Sequence, residues 1–319
     1  MLKSDNQLRR FIVNGIVFIA IVFSMDFMLG QILSHFYTRQ KAGFNYHLNY
    51  SIDSTNAEVI ILGSSRACRH YVPGIIEDTL GMTCFNTGID GNFVFNNYAI
   101  YKSIVSRYTP EIVIMDLNQG DICKEMESYD HLASLLPYYK IHKEIRSIIL
   151  LKSKLEWVKL GSRIYPYNSS LLAIFDGVMN SEDIRVGKGY IPLYGSLLDT
   201  ALAPQKKILY QIDPNKVQVL DSIAENCKEK DIRLILLQSP RYCKVEQELS
   251  SSLIDSLAVK HNLEFWNYEN DTTFLQPYYF KDNSHMNDLG AKEFTKTIVS
   301  RVKGIISINN VNHNQVTSD

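Results

Sequence analysis

Short runs of consecutive apolar residues recur along the chain, separated by stretches whose apolar positions fall at helical spacing. Val59–Leu62, Ile112–Met115 and Ile232–Leu237 are continuous or nearly so, the pattern of strands buried on both faces. Met82–Phe85 and Leu263–Trp266 read as two shorter strands. Between them, Ile75, Ile76 and Leu80 mark one face of a short helix that stops at Gly81, and a second helical stretch runs from Phe93 to Tyr108 and stops at Pro110. Asp213-Pro214 is an N-cap followed by proline at the first helical position, and Leu220, Ile223, Ala224 and Cys227 then share a face. Leu249, Leu253, Leu257 and Ala258 predict another helix, and Phe294, Ile298 and Val302 the buried face of the last one. Five strands with helices between them predict an α/β fold: a three-layer, flavodoxin-like parallel sheet covered on both faces.

Three stretches break this rhythm. From Phe11 to Ser34 the chain has 24 residues with a single charge, Asp26, preceded by Lys3, Arg9 and Arg10. As a helix this run is about 36 Å long, enough to cross a hydrocarbon core. It has no small-residue cleavage motif and no cysteine, so it reads as an uncleaved anchor with its N-terminus in the cytoplasm. Residues 1–40 are therefore expected to be a cytoplasmic stub and a single transmembrane helix, and residues 41–306 the α/β domain outside the cytoplasm. Residues 122–212 form an insertion too long for a structureless loop, with helices predicted over Asp130–Tyr139 and Lys143–Leu160. Residues 307–319 are polar and read as a disordered tail.

With 45% apolar residues, the 319-residue chain can bury a full core. Its formal charge of −1 offers no electrostatic case for nucleic acid as a partner. Five scattered cysteines, without Cys-x-x-Cys spacing, argue against a zinc site, and their odd number implies no disulfide framework. The reading calls for no cofactor and no metal.

The candidate chemistry sits at two distant places. Val59-Ile-Ile-Leu62 runs into Gly63-Ser64-Ser65, a strand-to-helix turn that can mount Ser64 or Ser65 in the crevice at the sheet's C-terminal edge. Near the other end, Asp282 and His285 share one loop immediately before the last helix. A serine hydroxyl needs a base to take its proton, and a carboxylate three residues before a histidine can hold the imidazole in the required tautomer.

Together these stretches resemble the SGNH hydrolases, the GDSL-like esterase and acyltransferase superfamily. Gly63-Ser64-Ser65 lies where that family has Gly-Asp-Ser, so the resemblance implies Ser65 as nucleophile, and Asp282-x-x-His285 with Asn287-x-x-Gly290 is similar to the block carrying acid and base. Asn86-Thr-Gly-Ile-Asp-Gly91 resembles the second block, which implies an oxyanion hole of the Ser65 and Gly91 N–H groups. Asn118 is the nearest counterpart of the family's third-block asparagine, although it falls two positions early. Arg66, His70 and Arg241 are further candidates for substrate contacts.

Membrane-anchored relatives that tolerate serine in place of the first-block aspartate include D-alanyl transfer proteins of teichoic acids and polysaccharide acetylation proteins. The resemblance thus implies a serine-dependent O-acyl esterase or acyltransferase of cell-envelope or surface glycans. Its partners would be an acylated glycan or acyl donor, the membrane itself and a possible membrane acyl-donor protein. The alternative is a non-catalytic, membrane-tethered scaffold or glycan-binding protein that keeps the fold.

Overall fold

A computed structural model describes residues 2–179, 187–197, 203–204, 211–244 and 249–316. The chain divides into two compact units, one of residues 1–46 with 132–182 and one of residues 47–131 with 183–319.

The second unit is built on five parallel strands: β1 (Val59–Leu62), β2 (Cys84–Asn86), β3 (Ile112–Asp116), β4 (Arg233–Gln238) and β5 (Glu264–Asn267). Their spatial order is β2-β1-β3-β4-β5. Ile61 lies opposite Asn86 on one side and Ile114 on the other, Ile114 lies opposite Ile235, and Leu237 opposite Trp266. This is the flavodoxin-like order, whose switch point lies between β1 and β3. Every residue of β1, β2 and β3 is buried, which is why β1 and the first four residues of β3 read as unbroken apolar runs.

Two helices follow β1 in quick succession, Ser65–His70 and Pro73–Leu80. The second ends in a left-handed cap at Gly81 (φ 72°), whose N–H donates to the Glu77 carbonyl. Val94–Val105, Pro214–Glu229 and Leu249–His261 supply the other crossovers. The Asp213 carboxylate caps the second of these three by accepting from Asn215 N–H. The last helix, Asp288–Val316, packs Phe294, Ile298 and Val302 into one core with Val59, Ile61, Ile114, Ile235 and Trp266. It continues past Ser307, where the tail was expected to begin; no glycine or proline stops it before Val316. A two-residue parallel pair, Ala203–Pro204 with Cys243–Lys244, lies outside the main sheet.

In the first unit, helix Leu2–Thr38 includes the 33 residues Asn6–Thr38, whose most apolar 18 residues have a mean hydropathy of 2.2, and it is long and apolar enough to cross a membrane. Its Asp26 is not left bare. Both carboxylate oxygens are engaged, accepting from Ser162 Oγ (2.5 Å), Arg163 N (2.6 Å) and Ile164 N (3.3 Å). Gly30 allows that loop to approach, since a Cβ there would meet Arg163 Cβ at 2.3 Å. Tyr37 packs edge-on against Tyr138 and Tyr167.

The long helix expected over Lys143–Leu160 is instead broken into short turns: Lys143–Ile145, Arg146–Ile149, Leu150–Lys152 and Glu156–Lys159. Ser153 is extended, and its hydroxyl donates to the buried Glu156, which also accepts from Tyr165 and Lys159. Satisfying that buried carboxylate outweighs continuing the helix. Asp130–Tyr139 likewise becomes an α-turn, Met126–Asp130, followed by a tighter 3-10 stretch, His131–Tyr138, that contains Pro137.

Candidate active site

The site is assembled within the second unit, at the C-terminal edge of the sheet. β1 ends at Leu62, and Gly63 makes the turn with φ 156°; a Cβ there would lie 2.6 Å from Ala67 Cβ and 3.0 Å from the Asp116 carbonyl. Glycine is needed because helix Ser65–His70 folds back directly over this point. Ser64 is the N-cap residue and Ser65 the first residue of the helix, both half-buried.

The loop between Phe280 and Met286, which pair across it, delivers His285 to that turn. His285 Nε2 lies 2.8 Å from Ser65 Oγ, and its Nδ1 lies 3.0 Å from each Asp282 oxygen. The arrangement requires Nδ1–H donating to Asp282, which leaves Nε2 to accept the Ser65 hydroxyl proton. Asp282 also accepts from the backbone N–H groups of Ser284 (2.8 Å) and His285 (2.9 Å). Burial raises its pKa, but the bonds from His285 and these N–H groups outweigh that and hold it below the usual carboxylate range. Asn287 closes the loop: its amide donates to the Gly195 and Tyr278 carbonyls, and its side-chain oxygen caps the last helix through Gly290 N–H. Gly290 is required, since a Cβ there would lie 2.3 Å from the Tyr279 carbonyl oxygen.

Around the serine, Asn118 stands at the end of β3 in a capping box. Its side-chain oxygen accepts from Gly120 N–H (2.7 Å) while its own N–H donates to Asp121 Oδ2 (2.8 Å). With the oxygen so engaged, the amide nitrogen turns toward the serine loop and stands 3.5 Å from Ser64 Oγ. Buried Lys216 braces this turn, donating to the Gly120 (2.5 Å) and Cys123 (2.7 Å) carbonyls. Burial pushes Asp121 up to about 7, against the opposing pull of the Asn118 N–H and Lys216. Gly91 takes a left-handed conformation (φ 77°) in the loop after β2, where a Cβ would crowd His131 at 2.7 Å. That loop is fastened to the serine-bearing helix by the Arg69–Asp90 ion pair and a Cys68 Sγ contact to Asp90.

The three residues expected to contact substrate are arranged differently. Arg66 is buried, and its guanidinium donates to the Ser239 and Leu117 carbonyls and to Glu269 Oε1 (3.3 Å), with Asp116 3.8 Å away. Those donors are spent inside the protein, so Arg66 is part of the framework beneath the site. Arg241 pairs with the same Glu269 at 2.8 Å. His70 is wholly buried: its Nε2 accepts from Met286 N–H and its Nδ1 faces Ser239 Oγ, both at 3.0 Å. Burial, together with the positive charges of Arg66 and Arg69, holds its pKa well below the usual imidazole value, consistent with a neutral ring that accepts at Nε2.

Three members of this framework escape sequence reasoning. Asp116, Ser239 and Glu269 lie at or just beyond the C-ends of β3, β4 and β5, and Ser239 donates to Asp116 Oδ2 at 2.7 Å. The available signal was positional: each is a polar residue at or just beyond the C-terminal end of a strand, at the sheet edge where sites form.

The order of the sheet, with Ser65 after β1 and the Asp282–His285 loop before the last helix, is a flavodoxin-like parallel α/β arrangement, the fold expected from the resemblance to the SGNH hydrolases. No family model matches the chain, and no curated protein matches it by sequence. Among solved structures it is similar to a GDSL-like lipase from Bacteroides thetaiotaomicron, with 12% identity over 76% of this chain and 86% of that one and a TM-score of 0.36. An acetyl xylan esterase is also similar, with 12% identity, 78% and 98% coverage and a TM-score of 0.38. So is a family two carbohydrate esterase from Clostridium thermocellum solved with cellohexaose, with 9% identity, 78% and 64% coverage and a TM-score of 0.39.

Proposed function

We propose that the protein is a serine-dependent O-acyl esterase or acyltransferase that works through an acyl-serine intermediate on cell-envelope or surface glycans. The observation that carries this reading is the contact of His285 Nε2 with Ser65 Oγ at 2.8 Å while Nδ1 faces Asp282. Ser65 Oγ attacks the ester carbonyl as its proton passes to His285 Nε2. The tetrahedral oxyanion is met by the N–H groups of Ser65 and Gly91 and by the Asn118 amide, whose NH₂ is turned toward the serine loop by its cap. Each such donor lowers the barrier by roughly 3 kcal/mol. Collapse breaks the ester C–O bond, and the departing alcohol takes the proton from His285. Water or a sugar hydroxyl then attacks the acyl-serine, with His285 again as base, which distinguishes hydrolysis from transfer.

Helix Leu2–Thr38 is read as a single-pass anchor with the catalytic unit outside the cytoplasm, where glycan esters and a membrane acyl-donor protein would be within reach. Labelling with a fluorophosphonate serine probe tests the chemistry. Wild-type protein should be labelled and Ser65→Ala should not, whereas labelling that survives Ser65→Ala and vanishes in Ser64→Ala would move the nucleophile and overturn the assignment.

A further inference from the structure

Within the first unit, the loop that binds Asp26 also sets the depth of what precedes it. From Phe11 to Met25 the N-terminal helix is exposed and largely apolar over about 22 Å, most of a hydrocarbon thickness of about 30 Å, and the exposed apolar surface continues past Asp26 through Phe27, Met28, Leu29 and Ile32. If this helix crosses a membrane, as proposed above, Asp26 lies in the outer part of the span, and so do Ser162, Arg163 and Ile164, which are bonded to it. Glu156–Lys159 ends only three residues before Ser162, so the segment around it is tied to the same level.

That segment does not have the surface of a water-facing loop. Leu155, Trp157 and Val158 are 62%, 64% and 53% exposed, and Leu151 is exposed beside them. Lys154 and Lys159 are interspersed among these residues and are also exposed. Over residues 132–179 seven Lys and Arg stand against three Asp and Glu. Exposed Trp and aliphatic side chains mixed with lysines are the composition of a segment lying in a membrane interface, with ammonium groups among the headgroups.

We propose that residues 151–159 form a membrane-seated collar, in which Leu151, Leu155, Trp157 and Val158 enter the acyl-chain boundary beside the point where the N-terminal helix leaves the bilayer. The occupant of this apolar surface is lipid. The inference rests on the membrane-span reading of that helix but goes beyond it, because a single span does not require any other part of the chain to touch lipid.

The chain has two tryptophans, and the other, Trp266, is buried in β5, so fluorescence can report on Trp157. Full-length protein is reconstituted in vesicles of phosphatidylcholine and phosphatidylglycerol, and the difference between wild type and Trp157→Phe gives the Trp157 signal. Replacing the phosphatidylcholine with a form brominated on its acyl chains should quench that signal, and aqueous iodide should not. Quenching by iodide but not by bromolipid would overturn the proposal by placing Trp157 in water. Quenching by neither would overturn it by placing Trp157 against protein, such as a second copy. Extraction with alkaline carbonate separates the two readings. Release from the vesicles refutes the span and the collar together, whereas retention with iodide-quenched Trp157 refutes the collar alone.

Discussion

Replacing His70 with leucine tests whether the loop bearing His285, the proposed base, is held from beneath. Leucine fills a similar volume in this fully buried position but can neither accept from Met286 N–H nor donate to Ser239 Oγ. The Met286 amide, one residue past His285, is left without its acceptor at a cost of about 1–3 kcal/mol, and loss of the Ser239 bond adds about 1 kcal/mol. A total of about 2–4 kcal/mol in a unit of roughly 200 residues lowers Tm by about 5–15 °C. His285 sits on the freed segment, and a misplacement of about 1 Å can reduce turnover about 10²-fold. The sign of the pH dependence also follows. Because folding depresses the His70 pKa, its neutral buried state stabilises the protein above the unfolded imidazole value near 6.5, and that contribution is lost as pH falls below it. His70→Leu should lack this part of the acid destabilisation. Thermal unfolding at two pH values, hydrogen exchange at the Met286 amide and kcat on a chromogenic acetate ester make up the assay. An unchanged Tm, unchanged Met286 exchange and unchanged kcat would refute the reasoning. Ser239→Ala provides the contrast, since it should lower Tm while sparing more of kcat, because the His70–Met286 bond survives.

Two further outcomes follow from the turn after β3. Asn118→Ala should lower kcat by about 10²–10³-fold if its amide meets the oxyanion, and an effect within a few-fold would leave backbone N–H groups as the donors. Asp121, raised to about 7 by burial, is a group whose protonated form is favoured by folding, so its contribution to stability is present at low pH and is lost as pH rises from about 4 toward 7. Asp121→Asn should flatten that decline in denaturant titrations across this range. An identical slope in both proteins would show that the carboxyl does not titrate with folding.

What could be read from sequence follows the range of the forces involved. Buried parallel strands such as Ile112–Met115 reveal themselves as local apolar runs, and a Gly-Ser-Ser turn or an Asp-x-x-His loop is contiguous in the chain. The framework under the site is not local. Arg66 meets Ser239 and Glu269 across 173 and 203 residues, and nothing near Arg66 distinguishes a buried cation with partners from one exposed to substrate. The broken helices of residues 143–160 were hidden for the same reason. Helical spacing of apolar residues was visible, but the burial of Glu156 with Ser153 and Tyr165 was not. Asp26, the single charge in an apolar run, is explained only by Ser162 and Arg163, 136 and 137 residues away.

The central claim is that Ser65 and His285 act as one unit on an ester, and a double-mutant cycle on ester turnover tests it most directly. Ser65→Ala and His285→Ala should each abolish turnover to a similar degree, and the double variant should lose little more than either, because removing one partner already disables the other. Asp282→Ala should be milder, since that carboxylate orients the imidazole without itself taking the proton. Turnover that persists in a folded Ser65→Ala protein, or losses that multiply in the double variant, would contradict the account.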